Sequence, residues 1–355
     1  MTGLQPAAER WSQHLIWFFA FGYFASYVPY SMLVKAMSKG LLPGMDGLDA
    51  AGFSLLPISV AASTIGMIVF ISAMGWWKYG TRWSVLGLDL PRPTRWTFLS
   101  GVCTSLIIGT TTLAYTFKGV SIVFAMVLMR GGVLILAPVV DAFARRHVRW
   151  FSWMGLFLAF GALLVSLQDT ASYHITILCA IDIAVYLASY FVRLRFMSRL
   201  AKTDRAELSK RFFVEEQMVA APLLVVALAV LGWIGQGEVL GDIRRGFTDF
   251  WSVPLVVYIV LIGIFSQGTG IFGSLIFLDK RENTFCVPVN RSSSVLAGVF
   301  ASYLLMLFPG QGAPRTSELI GAGIILLAIL FLTIPPEMEK RRRRATALGK
   351  APQGT

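Results

Sequence analysis

Charge is what this chain has least of. Of its 355 residues only 14% are Asp, Glu, Lys or Arg, while 56% are hydrophobic and the mean hydropathy is +0.68. No soluble globular composition fits those values. Cysteine and histidine are scarcer still, at three each. Cys103, Cys179 and Cys286 fall inside apolar stretches, where they act as small hydrophobes, and three cannot make a disulfide framework. His14, His147 and His174 are scattered, and no HExxH, GxSxG, CxxC or phosphate-loop spacing occurs. The sequence therefore gives no reason to expect a metal site, a cofactor, a hydrolytic nucleophile or an ATP-driven pump. It also has no long polar linker and no alternating strand pattern, which argues against a second soluble domain and against an outer-membrane barrel.

What the chain does have is long apolar runs. A bilayer core of about 30 Å needs roughly 20 apolar residues per helical crossing. Ten runs reach that length: 11–34, 53–75, 97–116, 121–140, 150–167, 173–194, 212–235, 251–277, 285–308 and 317–335. The expected fold is an all-α polytopic membrane protein with ten transmembrane helices, a single domain over 1–355 that ends in a basic tail at 336–355. The opening "MTGLQPAAER" lacks a basic segment before a short apolar core, so the first run reads as a spanning helix and not as a cleaved signal.

The net charge of +12 does not call for nucleic acid, because the basic residues sort by loop. One set of alternate loops holds Lys78, Arg82, Arg92 and Arg95, then Arg145, Arg146 and Arg149, then Arg193 to Arg211, then Lys280 and Arg281. The other set holds only Lys35, Lys39, Lys118, Arg244, Arg245 and Arg315. By the positive-inside rule both termini are expected in the cytoplasm. Arg341 to Arg344 in the tail are expected to meet anionic lipid headgroups.

Slid on itself by 161 residues, the sequence lays its third and fourth runs on the eighth and ninth. Ser105 falls on Ser266, Gly109 on Gly270, Phe124 on Phe285 and Arg130 on Arg291. Four identities between apolar helices weigh little, but two rare intramembrane arginines in one register weigh more. Five spans per half is an odd number, so the halves, about 11–167 and 173–335, would lie in opposite orientations. That is the inverted-repeat plan of secondary transporters, with the substrate site near the midplane.

The ten spans, the duplication and the start of the seventh run, "RFFVEEQMVAAPLL" at 211–224, resemble the drug/metabolite transporter superfamily. Within it they resemble the branch carrying nucleotide sugars, nucleotide sulfate donors and sugar phosphates. That branch shows an aromatic pair, polar residues and a proline at this place, which here would be Phe212, Phe213, Glu215, Glu216, Gln217 and Pro222. Its asparagines after the aromatic pair are glutamates in this chain. "PVNRSSSVLAG" at 288–298 resembles the segment ending in a basic residue and serines found in nucleotide-sugar carriers. The resemblance implies a substrate-facing place for Arg291, with Asn290 beside it. "VLMRGG" at 127–132 matches the fourth-span counterpart more loosely and puts Arg130 there.

A charged side chain at a helix centre costs on the order of 2.5–3.5 kcal/mol to insert, so it faces the bundle interior or a wet cavity. Arg130 and Arg291 are therefore expected inward, where each guanidinium fork can hold a phosphate through two charge-assisted hydrogen bonds. Pairing with a carboxylate is the structural alternative. Asp182 supplies one: with Tyr186, Ser189 and Arg193 it shares a helical face in the sixth run. It would neutralise an arginine, or carry a proton that couples transport. Tyr23, Tyr27 and Tyr30 form a stripe along the first run, suited either to stacking on a base or sugar or to plain packing. Lys35 is expected to snorkel to the headgroups, and Lys118 and Lys280 sit where gates would. Glu215 and Glu216 are expected to open the seventh helix at the positive end of its dipole, with Glu216 also a candidate substrate contact. Gly131, Gly132 and Ser292 to Ser294 suit close helix approach.

The expected function is a secondary active transporter, not an enzyme, that moves a small organic anion by alternating access and antiport. A proton-coupled exporter of amino acids or drugs is one alternative. A membrane transferase acting on lipid-linked sugar is the other. A bacterial inner membrane is favoured over a Golgi or endoplasmic reticulum membrane, and a homodimer stays open.

Overall fold

A computed structural model describes residues 5–45, 52–85, 88–113, 122–166, 168, 176–203, 205–249, 251, 255–308, 313 and 316–349. Among them a helix lies over each of the ten apolar runs. In chain order these are α1 (Gln5–Ser38), α2 (Gly52–Ala73), α3 (Arg95–Leu113), α4 (Ile122–Phe143), α5 (Trp150–Ser166), α6 (Ile177–Leu200), α7 (Ala206–Ile234), α9 (Val256–Leu278), α10 (Asn283–Leu305) and α11 (Thr316–Gly349). Five of them, α2, α6, α7, α9 and α11, contain stretches long and apolar enough to cross a membrane. The outer surface is apolar too. Phe18 and Phe21 of α1, Ile65 and Val69 of α2, Phe157 of α5 and Trp233 of α7 are each more than half exposed. Helices apolar on both faces belong in lipid, so the chain is a helical integral membrane protein.

The structure departs from the sequence expectation in four places. A twelve-residue helix, α8 (Gly237–Thr248), follows α7 and is polar enough to have escaped the search for apolar runs. A short antiparallel hairpin, β1 (Arg82–Val85) and β2 (Leu88–Pro91), interrupts an otherwise all-α chain. Helix α7 begins at Ala206, six residues before its apolar run, because the polar turn Ala206–Arg211 is itself helical. Helix α11 runs on through Pro335 and Pro336 into the basic tail, whose Arg341 to Arg344 side chains lie outside the described ones.

Packing follows a regular scheme. Helix α1 lies against α9 and α10, and α6 lies against α3 and α4. Helix α2 packs on α9, and α7 packs on α3. The pairs α5 with α11, α4 with α10, and α2 with α7 close the bundle. Glycines allow several of the close approaches. A Cβ on Gly263 of α9 would meet the Ser59 carbonyl of α2, and one on Gly101 of α3 would meet Val219 of α7.

Candidate functional site

Arg130 is the ninth residue of α4 and Arg291 the ninth of α10, so each lies about 12 Å along its helix at 1.5 Å per residue. Each reaches a tyrosine. Arg130 Nη2 donates to Tyr27 Oη at 2.8 Å, and Arg291 Nη2 donates to Tyr186 Oη at 3.3 Å. The Arg291 guanidinium also lies over the Tyr190 ring, 5.3 Å from its centroid. The tyrosines come in pairs four residues apart. Tyr23 stacks on Tyr27 with centroids 5.6 Å apart, and Tyr186 leans on Tyr190 at 4.8 Å. Tyr23 and Tyr186 each interact electrostatically with both arginines, so the four aromatic rings and two guanidiniums form one cluster. Asn290 joins it from α10, since a Cβ on Gly273 would lie 3.1 Å from the Tyr23 ring and 3.4 Å from Asn290 Nδ2.

Burial separates the two arginines. Arg291 is 6% exposed, whereas Arg130 is only partly buried. The Arg291 Nε–H has no acceptor among the described residues, and neither does the adjacent buried Ser292 hydroxyl. The buried guanidinium thus keeps one N–H that no described residue accepts.

Two expected members of the site bond to neither Arg130 nor Arg291. Glu216 is in the third turn of α7, not its first, and is fully buried in an ion pair with Arg193 of α6. Arg193 Nε and Nη2 donate to its two oxygens at 2.9 and 2.8 Å. Ser100 and Thr104 of α3 add hydroxyl donors at 2.5 and 3.2 Å, and Arg193 Nη2 also donates to Ser274 of α9 at 3.0 Å. This network ties four helices together around the Glu216 carboxylate. Asp182 is 4% exposed, but it pairs with neither arginine, and both its oxygens lack hydrogen-bond partners. Tyr30 extends the first-helix stripe by packing on Tyr27 at 5.7 Å. Lys35 donates to Ser302 of α10 at 3.3 Å. Lys118 lies outside the described residues.

At the end of the bundle that carries the α4–α5, α6–α7 and α9–α10 connections, the helices are laced together. Arg146 donates to the carbonyls of Lys280 (2.9 Å), Ser198 (3.3 Å) and Lys202 (2.8 Å). Lys202 donates to the Arg281 carbonyl at 2.9 Å, and Arg149 holds Glu282 with two bonds of 3.0 Å. Asp141, at the end of α4, accepts from the backbone N–H and side chain of both Asn283 and Thr284, which caps α10. Glu215 does the same for α3. It accepts from the Thr94 N–H and the Thr97 hydroxyl, and also from Thr81 and Arg211. Sequence reasoning missed Tyr190, the Arg193–Glu216 pair and the Asp141 cap. The spacing of Tyr190 four residues after Tyr186 was the signal for the first.

No protein-family model matches the chain, and no curated protein sequence does. Solved structures share its fold. Among 27 matching chains, one described only as "Crystal structure of protein" has a TM-score of 0.59 and 15% identity, covering 89% of this chain and 96% of its own. At that identity the likeness concerns the fold alone.

Proposed function

We propose that the chain is a ten-span secondary transporter of the drug/metabolite type, built from two inverted five-helix repeats, that carries a small phosphorylated organic anion by alternating access. The observation that carries this reading is the matching pair of arginine–tyrosine bonds. Exchanging α1–α5 for α6, α7, α9, α10 and α11 in order turns Arg130–Tyr27 into Arg291–Tyr186. The same exchange turns α1 on α9 into α6 on α3, α1 on α10 into α6 on α4, and α2 on α9 into α7 on α3, while α5–α11, α4–α10 and α2–α7 map onto themselves. Two halves related in this way put their shared site between them.

In this reading the basic loops face the cytoplasm of a bacterial inner membrane, with both termini inside. The bonds around Arg146 then latch the cytoplasmic end, and the anion enters from the other side, where Arg130 is the partly exposed partner. Breaking the latch opens the opposite path to Arg291. Because a bare guanidinium pair is costly to carry across, the favoured cycle returns one anion for each taken up.

Thermal unfolding of the purified protein with nucleotide sugars, nucleotides, sugar phosphates, amino acids and cationic drugs tests the reading. A true ligand at about a hundred times its dissociation constant stabilises by about 2.7 kcal/mol. A phosphorylated ligand should raise the unfolding temperature of the wild type, and Arg130→Ala and Arg291→Ala should abolish the shift. A response confined to amino acids or cations, or one the variants share, would overturn it.

A further inference from the structure

At the end of the bundle that carries the α4–α5 and α6–α7 connections, Arg146, Arg149, Lys202 and Arg211 are committed to carbonyls or to the carboxylates of Glu282 and Glu215. Three arginines at the same end are not. Arg95 of α3 and Arg195 and Arg199 of α6 are exposed, and none of them bonds to an oxygen of a described residue. Their neighbours are aromatic instead. The Arg95 guanidinium lies 4.8 Å from the ring centroid of Trp96, and Trp96 leans on Phe196 of α6 with centroids 5.4 Å apart. The Arg195 guanidinium lies 5.4 Å from the ring of Phe143, the exposed last residue of α4. Trp96, Phe196, Arg199 and Leu200 line a hollow of about 100 Å³ where α3 meets α6.

The outward face of α6 continues from that hollow as one stripe. Ile181, Ala184, Ala188, Val192, Arg195 and Arg199 follow at steps of three or four residues, and all but the half-buried Val192 are exposed. The stripe is apolar along its length and basic in its last two turns. At 1.5 Å per residue the 24 residues of α6 extend about 36 Å, more than a hydrocarbon core of about 30 Å. Arg199, one residue from the end of the helix, therefore reaches headgroup level, and Arg195 stands one turn deeper. Two arginines four residues apart repel each other, and no carboxylate of a described residue offsets them.

We propose that the α3–α6 hollow and the stripe leading to it are a binding site for an anionic phospholipid, with the phosphate on Arg195 and Arg199 and an acyl chain along Ile181 to Val192. The guanidinium forks suit phosphate oxygens, and basic pockets between helices at the membrane boundary take anionic headgroups. A zwitterionic headgroup brings a cation of its own, for which the site has no carboxylate. A soluble phosphate has nothing to lay on the apolar stripe. The site is separate from the arginine–tyrosine cluster and does not depend on what the chain carries.

Native mass spectrometry of the full chain tests this, with micelles titrated with phosphatidylglycerol or with phosphatidylcholine of the same acyl chains. The wild type should retain phosphatidylglycerol in preference. Arg195→Ala/Arg199→Ala should weaken that binding about thirtyfold, the equivalent of about 2 kcal/mol at about 1 kcal/mol per guanidinium, and leave phosphatidylcholine unchanged. Lys78→Ala/Arg82→Ala removes two exposed charges at the same end of the bundle and should leave phosphatidylglycerol binding as it is. Should the alanine pair unfold early in phosphatidylcholine micelles, Arg195→Gln/Arg199→Gln, which keeps the apolar stems, carries the same expectation. Equal retention of the two lipids by the wild type, or an Arg195/Arg199 variant that holds phosphatidylglycerol as tightly as the wild type, overturns the site. An equal loss in Lys78→Ala/Arg82→Ala reduces it to general surface charge and overturns it too. Displacement of phosphatidylglycerol by excess glycerol 3-phosphate would overturn the lipid as occupant.

Discussion

If the Arg193–Glu216 pair is structural, removing either partner should cost stability and leave anion affinity alone. Both side chains are buried, at 5% and 0% exposure, with the guanidinium bonded to both carboxylate oxygens. At 4 Å and an effective dielectric of 20 the attraction between two unit charges is about 4 kcal/mol. Breaking a buried pair by removing one partner costs about 3–5 kcal/mol, because the remaining charge stays buried without compensation. The two figures agree on about 4 kcal/mol. In Arg193→Met, Glu216 keeps only the Ser100 and Thr104 hydroxyls. In Glu216→Gln, Arg193 keeps Ser274 and a neutral amide. The double variant leaves no buried charge and should recover most of the loss. Equilibrium unfolding in mixed detergent micelles, run as a double-mutant cycle, gives the coupling directly. A coupling below about 1 kcal/mol, the range of exposed pairs, would refute the argument. So would a Glu216→Gln variant that unfolds like the wild type but binds its anion more weakly, since that would return Glu216 to the substrate.

Gly263→Ala should destabilise by about 1–3 kcal/mol, because its Cβ meets the Ser59 backbone carbonyl, which cannot move aside. Gly270→Ala, on the same helix with open space around it, should be neutral or gain up to about 1 kcal/mol; the same micelle unfolding compares the two. Asp141→Ala strands four donors at the start of α10 and should cost at least about 3 kcal/mol, while Asp141→Asn, which keeps one acceptor oxygen, should cost less. Burial raises the Glu282 carboxyl's affinity for protons, but the bonds from Arg149 and Ser152 outweigh it and hold the group below the usual value of 4.5. A lowered folded value means stability that is present above pH 4.5 and lost as the pH falls through it, so wild-type stability should drop on acidification and Glu282→Gln should flatten that drop.

The helices were legible because lipid imposes one rule over some twenty residues at a time, and each run of apolar side chains had to satisfy it. What escaped were the elements that do not cross. Helix α8 places polar residues among its apolar ones, and the Arg82–Pro91 hairpin is too short for alternation to show. Arg130, Arg291 and the tyrosines of α1 and α6 were legible for a related reason, since a charge in an apolar run must turn inward. The partner of each charge was harder to read, because it depends on which helices meet. Yet Arg193 lies seven residues before the end of α6 and Glu216 ten residues after the start of α7, on consecutive helices joined by a short turn. At 1.5 Å per residue their depths are about 10 and 15 Å, within reach of a long side chain. The pairing was open to arithmetic, but Arg193 reads as one of the basic residues of the loop and Glu216 as a helix-start carboxylate or a substrate contact.

That pair also shows why Arg291 demands a different account. Both arginines are buried to about the same extent, at 4% and 6% exposure. Arg193 has one carboxylate bonded to both its Nε and its Nη2, and a serine besides. Arg291 has the Tyr186 hydroxyl at 3.3 Å, the Tyr190 side chain with its ring centroid 5.3 Å away, and among the described residues no acceptor for its Nε–H. Neutral oxygens and ring faces return at most about 1–3 kcal/mol each against a desolvation cost of several kcal/mol per ion. The fold shows at Arg193 that it can supply a buried carboxylate, and at Asp182 it has one a helical turn from Tyr186 that stays apart. An arginine left that short of countercharge is a poor way to build a core, which is why the proposed anion site is placed on it.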